Sequence, residues 1–272
     1  MMTRTLPTVT VVTPSRGRWN LLRLAMRSVS RQVGVDVEHI VIGDRCPHLE
    51  DPERRAELEK EFPKARVRNV TAEEDPDLPM DYRPARLAYL RNLGARSGTG
   101  AFVAHLDDDN TFAPEHLSSL VTLLEEDPEA GAAYSWRRLF LPDGRPFIPQ
   151  GEDPWHPDPE RRVSSYEQLR ELGVFVPGSH VVRDRLVHEG RLVARVDTSE
   201  FLVRREVQER IPFPERYSAV RRRLELTEDV VFGHALYRAK VKVLASERAT
   251  VNYTMGGYSN VDALPPSEVP VT

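Results

Sequence analysis

The sequence predicts an α/β fold, with a mainly parallel central sheet, flanking helices and a smaller mixed sheet in the second half. In the first half, short apolar segments rich in β-branched residues alternate with helical segments, which indicates parallel strands joined by helices. The apolar stretch at 101–106 ends abruptly in acids and suits a strand buried on both faces of a parallel sheet. After residue 139, turn residues and short apolar runs replace this alternation and favour mixed or antiparallel pairing.

The elements of the first half follow one another in a regular order. The run TVTVVT predicts a strand that stops at a tight loop, Pro14 to Arg18, before an amphipathic helix. A charged surface helix connects the second strand to the third, and an acidic, proline-bearing loop occupies 71–82. The predicted strands cover 8–13, 37–43, 65–70, 101–106 and 132–136, and the predicted helices cover 19–33, 51–62, 84–97 and 114–126.

The second half contains shorter predicted elements. The tetrapeptide PDGR predicts a hairpin turn within 139–148, and a proline-rich loop follows at 151–162. Gly256 and Gly257 predict a loop over 252–258 that moves or presses its backbone against a ligand. The remaining predictions are strands at 174–176, 180–182, 201–205 and 241–245, and helices at 165–172 and 227–239.

The composition is that of an ordinary globular protein, with 272 residues of which 40% are hydrophobic. A net charge of -4 gives no overall attraction to nucleic acid. Cys46 is the single cysteine, so an intramolecular disulfide is excluded and a reducing compartment is compatible. The sequence shows neither a secretory signal nor an apolar run of transmembrane length, so we expect a cytoplasmic protein without an integral membrane segment.

The most informative motif is the acid triplet Asp107, Asp108 and Asp109 at the end of the buried strand. Ligands of open α/β sheets bind at the carboxyl ends of the strands, where the following loops converge. Three adjacent carboxylates repel one another unless a cation neutralises them, and their oxygens suit Mg²⁺ or Mn²⁺. An acidic turn that caps the next helix is the alternative. A calcium loop of the EF-hand type is disfavoured, because Phe112 and Ser118 stand where glycine and glutamate are required.

Several motifs together resemble those of one family, and they occur in its order along most of the chain. They are VTPSRGR at 12–18, Asp44 after the second strand, RNLGA at 91–95, LDDD at 106–109, the segment 201–205, and Glu228-Asp229 at the start of a late helix. In these motifs the chain resembles the GT-A-fold glycosyltransferases of family 2, which use nucleotide sugars and are usually inverting. The resemblance implies a Rossmann-like central sheet and a smaller mixed sheet on the acceptor side.

The resemblance also implies a division of labour along one continuous domain. Residues 1–112 would bind the nucleotide sugar, and residues 113–272, with the C-terminal tail, would bind the acceptor. Asp109 would ligate Mn²⁺ or Mg²⁺ together with Asp107, and His180 or His234 would be a possible metal ligand or acceptor contact. Asp44 would bind the base, and Arg91 would approach the nucleotide or brace the acids. The implied nucleotide-sugar site consists of Thr13, Pro14, Ser15, Arg18, Asp44, Arg91, Asp107 and Asp108.

The late acidic pair supplies the implied catalytic residues. Asp229 would be the general base, with Glu228 and then Asp197 as the next candidates, although acids behind the capping residue Thr227 would also stabilise a helix dipole. The resulting expectation is a metal-dependent glycosyltransferase that inverts by single displacement and uses a nucleotide-diphosphate sugar, in the first place a UDP-sugar. A retaining GT-A enzyme and a non-catalytic nucleotide- or glycan-binding protein of the same fold are the alternatives. The sequence identifies neither the acceptor nor the oligomeric state.

Overall fold

The computed structural model describes residues 5–71, 73, 75–257 and 260 of the chain. Eleven strands occur in this described part. They are β1 (Thr8–Ser15), β2 (Asp36–Asp44), β3 (Ala65–Val70), β4 (Phe102–His105), β5 (Thr111–Phe112), β6 (Ala130–Phe140), β7 (Val181–Val182), β8 (Arg185–His188), β9 (Arg191–Arg195), β10 (Phe201–Arg204) and β11 (Lys242–Thr254).

Most of these strands belong to one central sheet, in the order β3-β2-β1-β4-β10-β6-β11-β5, with β7 paired to β6. Strands β3, β2, β1 and β4 are parallel neighbours, whereas β10 runs antiparallel to both β4 and β6. Strands β6 and β11 are again parallel, and β5 is antiparallel to β11. Strands β8 and β9 form a separate hairpin. The predicted α/β fold, with a parallel sheet that becomes mixed in the second half, is confirmed.

The helices of the described residues cover both faces of this sheet. They are α1 (Trp19–Ser30), α2 (Pro47–Glu50), α3 (Pro52–Glu61), α4 (Arg83–Ser97), α5 (His116–Glu126), α6 (Arg162–Glu171), α7 (Arg205–Arg210), α8 (Ala219–Arg223) and α9 (Glu228–Arg238). Strand β1 shows why the sheet needs helices on both sides. Val9 and Val11 pack in a cluster with residues of α1 and α5, whereas Val12 points to the opposite face and packs against α4.

Helix α4 approaches β1 unusually closely at Gly94. A Cβ atom at this position would lie 2.3 Å from Cγ1 of Val12, so any side chain would push the helix away from the strand. Arg91 lies one turn earlier on α4 and is almost completely buried. The close packing at Gly94 therefore holds Arg91 near the carboxyl end of β1.

Most predicted elements lie within a few residues of the observed ones, but one expected strand in the second half is wrong and one hairpin was missed. Residues 174–176 form no strand, and Val174 and Phe175 instead pack in a core cluster between α6 and the sheet. The predicted hairpin turn within 139–148 is present: Phe140 and Pro146 form an antiparallel bridge, and backbone hydrogen bonds join Leu141 to Arg145 and Phe147 to Leu139. The hairpin formed by β8 and β9 was not predicted, because its two short strands are rich in arginine and lack a clear alternation.

The tail also differs from its prediction. Strand β11 continues through Asn252, Tyr253 and Thr254, where a loop was expected, and these residues pair with β5 or β6. The predicted loop is therefore confined to the residues after Thr254. Tyr258, the last residue of that prediction, lies outside the described residues. No helix in the described part of the chain has both the length and the apolar character needed to cross a membrane.

Candidate active site

The predicted site residues converge on a cleft at the carboxyl ends of the parallel strands. Strand β1 ends at Ser15 and β2 ends at Asp44, while the acid triplet follows β4 by two residues. The first turn of α9, with Glu228 and Asp229, lines the same cleft. Residues separated by more than 200 positions in the sequence therefore meet at one edge of the sheet.

Asp108 is the anchored member of the triplet. Its carboxylate is buried and accepts a hydrogen bond from the Ser15 hydroxyl at 2.6 Å and a longer one from the Arg16 backbone N–H at 3.4 Å. Burial raises the pKa of Asp108, against the opposing effect of the Arg18 guanidinium. Ser15 thus fixes the loop after β4 to the end of β1. It does so by binding Asp108, which the sequence motifs place in the nucleotide-sugar site.

The same loop is fixed to the second half of the chain through β11. The Thr254 hydroxyl donates to the backbone oxygen of Asp109 at 2.5 Å, and the Thr254 N–H donates to Oδ1 of Asn110 at 3.0 Å. A Cβ atom on Gly257 would lie 3.3 Å from Oδ2 of Asp109, so the tail passes directly beside this carboxylate. These Thr254 contacts were not predicted, because a threonine in a predicted loop has no distinguishing pattern.

Arg18 bridges two acids of the triplet. Its Nη2 contacts Oδ1 of Asp108 and its Nη1 contacts Oδ2 of Asp109. The pKa of Asp109 is nevertheless raised to about 7, because burial and repulsion by Asp108 and Asp107 outweigh the attraction of Arg18. Arg18 therefore offsets only part of the repulsion and burial that disfavour the ionised form of Asp109.

Arg91 joins the triplet to the first turn of α9. Its buried guanidinium donates from Nη2 to Oδ1 of Asp107 at 2.6 Å and to Oε1 of Glu228 at 3.2 Å. Burial, together with repulsion by Asp229 and Asp107, raises the pKa of Glu228 to about 7 despite the neighbouring Arg91. Arg91 thus holds Asp107 and Glu228 together, which corresponds to one of the two roles predicted for it. Glu228 is buried as its partner.

Asp229 occupies a different position from Glu228, although the two are adjacent in sequence. Its Oδ1 accepts hydrogen bonds from the Thr227 hydroxyl and from the Val230 backbone N–H at 2.8 Å. Its side chain is only partly buried and lines the cleft. The start of a helix holds this carboxylate rigidly, with a surface that a ligand can reach.

Asp44 lies at the other end of the cleft and is surrounded by arginines. Arg86 Nε is 3.0 Å from its Oδ2 and Arg45 Nε is 3.3 Å from its Oδ1, while the more exposed Arg16 approaches to 4.0 Å. Pro14 also lines this end of the cleft. Thr13 points away, because it is fully buried and its hydroxyl contacts Nε2 of His39 at 2.9 Å.

The two predicted histidines are not among the residues that line the cleft. His180 packs its ring against Phe140 with a centroid distance of 5.7 Å, and His234 lies half-buried on α9. Among the described residues, no three or more His, Cys, Asp or Glu side chains are arranged as a preformed metal site. Magnesium-type sites commonly take only one or two carboxylates from the protein and complete their coordination with substrate phosphates and water. Asp107 and Asp109, whose side chains are 29% and 12% exposed, fit such a partial donor set.

Asp197 also lines the cleft and is backed by a second buried arginine. Arg137 contacts Asp197 at 3.1 Å and Asp184 at 2.8 Å, and it stacks over the rings of Trp155 and Tyr253. Burial raises the pKa of Asp197 to about 6. Arg137 was not predicted as a site residue. Arg137 and Arg138 come directly after a predicted buried strand, and this adjacent pair was the signal that could have indicated buried acid partners.

Comparison with known proteins identifies the class to which this fold and site belong. Residues 10–191 match the family described as Glycosyl transferase family 2, and the chain belongs to this family. A curated relative, an uncharacterized glycosyltransferase of Haemophilus influenzae, is 24% identical over 156 residues, which are 56% of this chain and 47% of the relative. Another, an uncharacterized protein of Sinorhizobium fredii, is 28% identical over 51% of this chain and 14% of its own length. The matches thus span about half or less of these relatives.

Solved structures share the fold at low sequence identity. The S. aureus protein TarS, crystallised as residues 1–349 with UDP-GlcNAc, has a TM-score of 0.59 and 15% identity, over 95% of this chain and 61% of that one. The mannosyltransferase PcManGT of Pyrobaculum calidifontis, in complex with GDP-Man and Mn²⁺, also has a TM-score of 0.59 and 15% identity, over 96% of this chain and 60% of that one. At this identity the likeness establishes the GT-A fold that the sequence motifs implied.

Proposed function

We propose that this protein is a glycosyltransferase that moves a sugar from a nucleoside diphosphate to a hydroxyl group of an acceptor, with inversion at the anomeric carbon. One observation carries the proposal: Asp229 lines the same cleft as Asp107, Asp109 and Arg18. In this arrangement Asp107, Asp109 and Arg18 would bind the diphosphate, and Asp229 would act as the general base. Family membership supports the donor class, and structural relatives have been solved with UDP, UDP-GlcNAc or GDP-Man.

The donor half of the site is assigned to the part formed by residues 1–112. Asp107 and Asp109 would hold a divalent cation, which would neutralise the negative charge of the departing diphosphate. Arg18 contacts Asp108 and Asp109, and its planar guanidinium suits bidentate contacts with phosphate. Arg86 and Arg45 hold Asp44 at the far end of the cleft, where it would accept a hydrogen bond from the base of the nucleotide. Among the nucleoside diphosphates, we assign UDP as the preferred candidate.

The chemical step is assigned to Asp229. The acceptor hydroxyl gives its proton to the Asp229 carboxylate while the acceptor oxygen forms a bond to the anomeric carbon. The bond from that carbon to the diphosphate oxygen breaks on the opposite face, and the diphosphate leaves with the bonding electron pair. Because Oδ1 of Asp229 already accepts from Thr227 and Val230, we assign Oδ2 to the acceptor proton. Glu228 holds Arg91, and through it Asp107, in position.

Donor turnover tests this function directly. The protein is incubated with UDP-glucose, UDP-GlcNAc or GDP-mannose, with Mn²⁺ or with chelator, and release of the nucleoside diphosphate is measured. We expect hydrolysis of at least one donor with Mn²⁺ and little with chelator, and we expect Asp109→Ala to remove the dependence on metal. Proton NMR of a glycosylated acceptor then reports its anomeric configuration. Retention of configuration would contradict the inverting assignment, and binding without any turnover would indicate a non-catalytic protein.

A further inference from the structure

We propose that Arg18 couples the binding of the donor diphosphate to the binding of the divalent cation, by occupying the carboxylate of Asp109 until the diphosphate draws it away. The inference rests on the proposed function and assigns a role to a contact within the same site. Its starting point is a conflict between two uses of one carboxylate: Asp109, which the cation would need as a ligand, is held at its Oδ2 by Arg18 Nη1. Both interactions cannot be optimal at once, so one must yield when the donor and the cation bind.

Burial indicates which group moves. The side chain of Arg18 is 39% exposed, whereas those of Asp108 and Asp109 are 1% and 12% exposed. Asp108 is anchored by Ser15, and the backbone of Asp109 is anchored by Thr254. Arg18 also lies in the loop between β1 and α1, where it forms no side-chain cap for the helix. The acids are therefore the fixed partners, and the guanidinium is the group that can leave.

The two acids bound by Arg18 do not depend on it equally. Asp108 keeps its hydrogen bond from the Ser15 hydroxyl when Arg18 departs. Within the described part of the chain, Arg18 is the only side chain that donates a hydrogen bond to the carboxylate of Asp109. Departure of Arg18 therefore leaves Asp109 as a buried carboxylate without a counter-charge, which is a strongly unfavourable state unless a cation replaces the guanidinium.

An incoming diphosphate provides the reason for Arg18 to move. Guanidinium groups bind phosphate oxygens in bidentate fashion, and a diphosphate in this cleft would otherwise face three carboxylates. Once Arg18 turns to the diphosphate, Asp109 becomes available to the cation, and the cation in turn neutralises Asp109 and the diphosphate. Without the diphosphate, the cation must compete with the guanidinium for Asp109. Linkage requires the coupling to be reciprocal, so the cation strengthens diphosphate binding by the same factor.

Mn²⁺ binding, measured from the electron paramagnetic resonance signal of free Mn²⁺ with and without UDP or GDP, tests this inference without an activity assay. For the unmodified protein we expect weak binding alone and binding at least about tenfold tighter with a nucleotide, which is within the usual range of coupling between sites. In Arg18→Gln, Mn²⁺ alone should bind about tenfold tighter than in the unmodified protein, and the nucleotide should improve it by less than about threefold.

Arg16→Gln is the matched control, because it removes the same charge from the same loop while its side chain lies beside Asp44 rather than Asp109. Equal tightening of Mn²⁺ binding in Arg16→Gln and Arg18→Gln would mean that general charge, and not the Asp109 contact, sets the affinity, and would overturn the inference. Arg18→Lys keeps the charge without the two-pronged contact, and we expect it to lose part of the coupling. This variant also serves if Arg18→Gln folds poorly.

The outcomes separate this inference from the proposed function. If UDP or GDP strengthens Mn²⁺ binding equally in the unmodified protein and in Arg18→Gln, the site binds a diphosphate with metal but Arg18 does not couple them. If Arg18→Gln alone tightens Mn²⁺ binding and neither nucleotide changes it in any variant, Arg18 does block the cation, but the diphosphate that should displace it is not a ligand. The second result would overturn the donor assignment and with it the coupling.

Discussion

Two buried arginines, Arg91 and Arg137, are each paired with acids near the cleft. The two groups of acids differ in how far they are exposed to the cleft. Arg91 and Arg137 have side chains that are 1% and 5% exposed, and each is paired with carboxylates from distant parts of the chain. The partners of Arg91 are Asp107 and Glu228, and those of Arg137 are Asp184 and Asp197. Similar ion pairs thus occur twice around the cleft.

The difference lies on the side of each cluster that faces the cleft. Asp107, at 29% side-chain exposure, and its neighbour Asp109 open to the cleft, and Glu228 is followed directly by the accessible Asp229. Around Arg137, Asp197 touches the cleft with a side chain that is 11% exposed, but Asp184 is fully buried and the rings of Trp155 and Tyr253 cover the guanidinium. A buried arginine among acids can therefore hold cleft-facing carboxylates in place, or it can mainly stabilise the fold. Substitutions in the two clusters should therefore affect different measurements.

The largest effect is expected at Asp229, the accessible neighbour of Glu228 in the Arg91 cluster, which consists of Arg91, Asp107 and Glu228. Asp229→Asn keeps the shape and the hydrogen bonds at the start of α9 but removes the basicity of the side chain. We expect near-normal folding and donor binding, with turnover reduced about 10²–10⁴-fold, the usual contribution of a general base. Steady-state kinetics with a confirmed donor and acceptor measure it. Turnover within a few-fold of the unmodified protein would place the base at another residue or indicate a retaining mechanism.

The next largest effect is expected for stability, in the Arg137 cluster. Arg137→Met leaves buried carboxylates without their counter-charge, and removing one partner of a buried ion pair typically costs about 3–5 kcal/mol. Urea unfolding measures the free energy. Arg170→Met is the matched control, because Arg170 pairs with Glu167 at the surface, where such pairs contribute about 0–1 kcal/mol. Equal losses of unfolding free energy in the two variants would show that the buried ion pairs of Arg137 stabilise the fold no more than a surface pair.

A smaller effect is expected at Glu228, where the two functions of the Arg91 cluster overlap. Because the pKa of Glu228 is raised to about 7, its side chain is largely protonated below neutral pH, and Gln imitates that form. Glu228→Gln should raise stability by about 1 kcal/mol at pH 8, because it removes a charge that burial disfavours by more than the contact with Arg91 offsets, and it should slow turnover less than Asp229→Asn does. Unfolding and kinetics on the same preparations check both. Turnover lost as completely as in Asp229→Asn would make Glu228 the better candidate for the base.

The smallest effect at neutral pH is expected for Glu200, which lies near Arg137 and its partners Asp184 and Asp197. Its Oε2 accepts from the Asp197 N–H at 2.7 Å. Burial and the neighbouring Asp184 raise its pKa well above the usual value, and Arg137 opposes the shift. The neutral form of the buried side chain is therefore favoured, and Gln is a close substitute for that form. We expect Glu200→Gln to change stability by less than about 1 kcal/mol at pH 7.

The pH dependence of stability distinguishes Glu200→Gln from an inert substitution. Unfolded carboxyl groups lose their protons near pH 4, whereas the folded protein keeps those on Glu200 and Asp197 to higher pH. The folded state then binds more protons, so the free energy of unfolding falls as the pH rises from about 5 to 7. Asp109 and Glu228 add to this slope. Glu200→Gln should show a shallower slope, and the surface variant Glu167→Gln should not. Identical slopes for all three proteins would show that Glu200 is ionised in the folded state.

The sequence by itself determined the local features of the site. The β-branched run of β1, the helix of α4, the acid triplet after β4 and the acidic start of α9 are all encoded by neighbouring residues, through periodicity and capping. Family motifs then related these segments to a donor site and a base. The sequence therefore identified which residues would lie at the carboxyl edge of the sheet, and the structure brings most of them together there.

Only the tertiary structure decided which of these residues are partners. Arg91 lies between Asp107 and Glu228, which is 137 positions away, and Thr254 of the unexpectedly long β11 fixes the acid loop. The same holds for Arg137 and its acids, and for Thr13, which turns away from the cleft to contact His39. Periodicity specifies which face of an element is buried, but not which distant element covers it. Charge pairs across such contacts depend on packing and burial, and these exist only once the chain has folded.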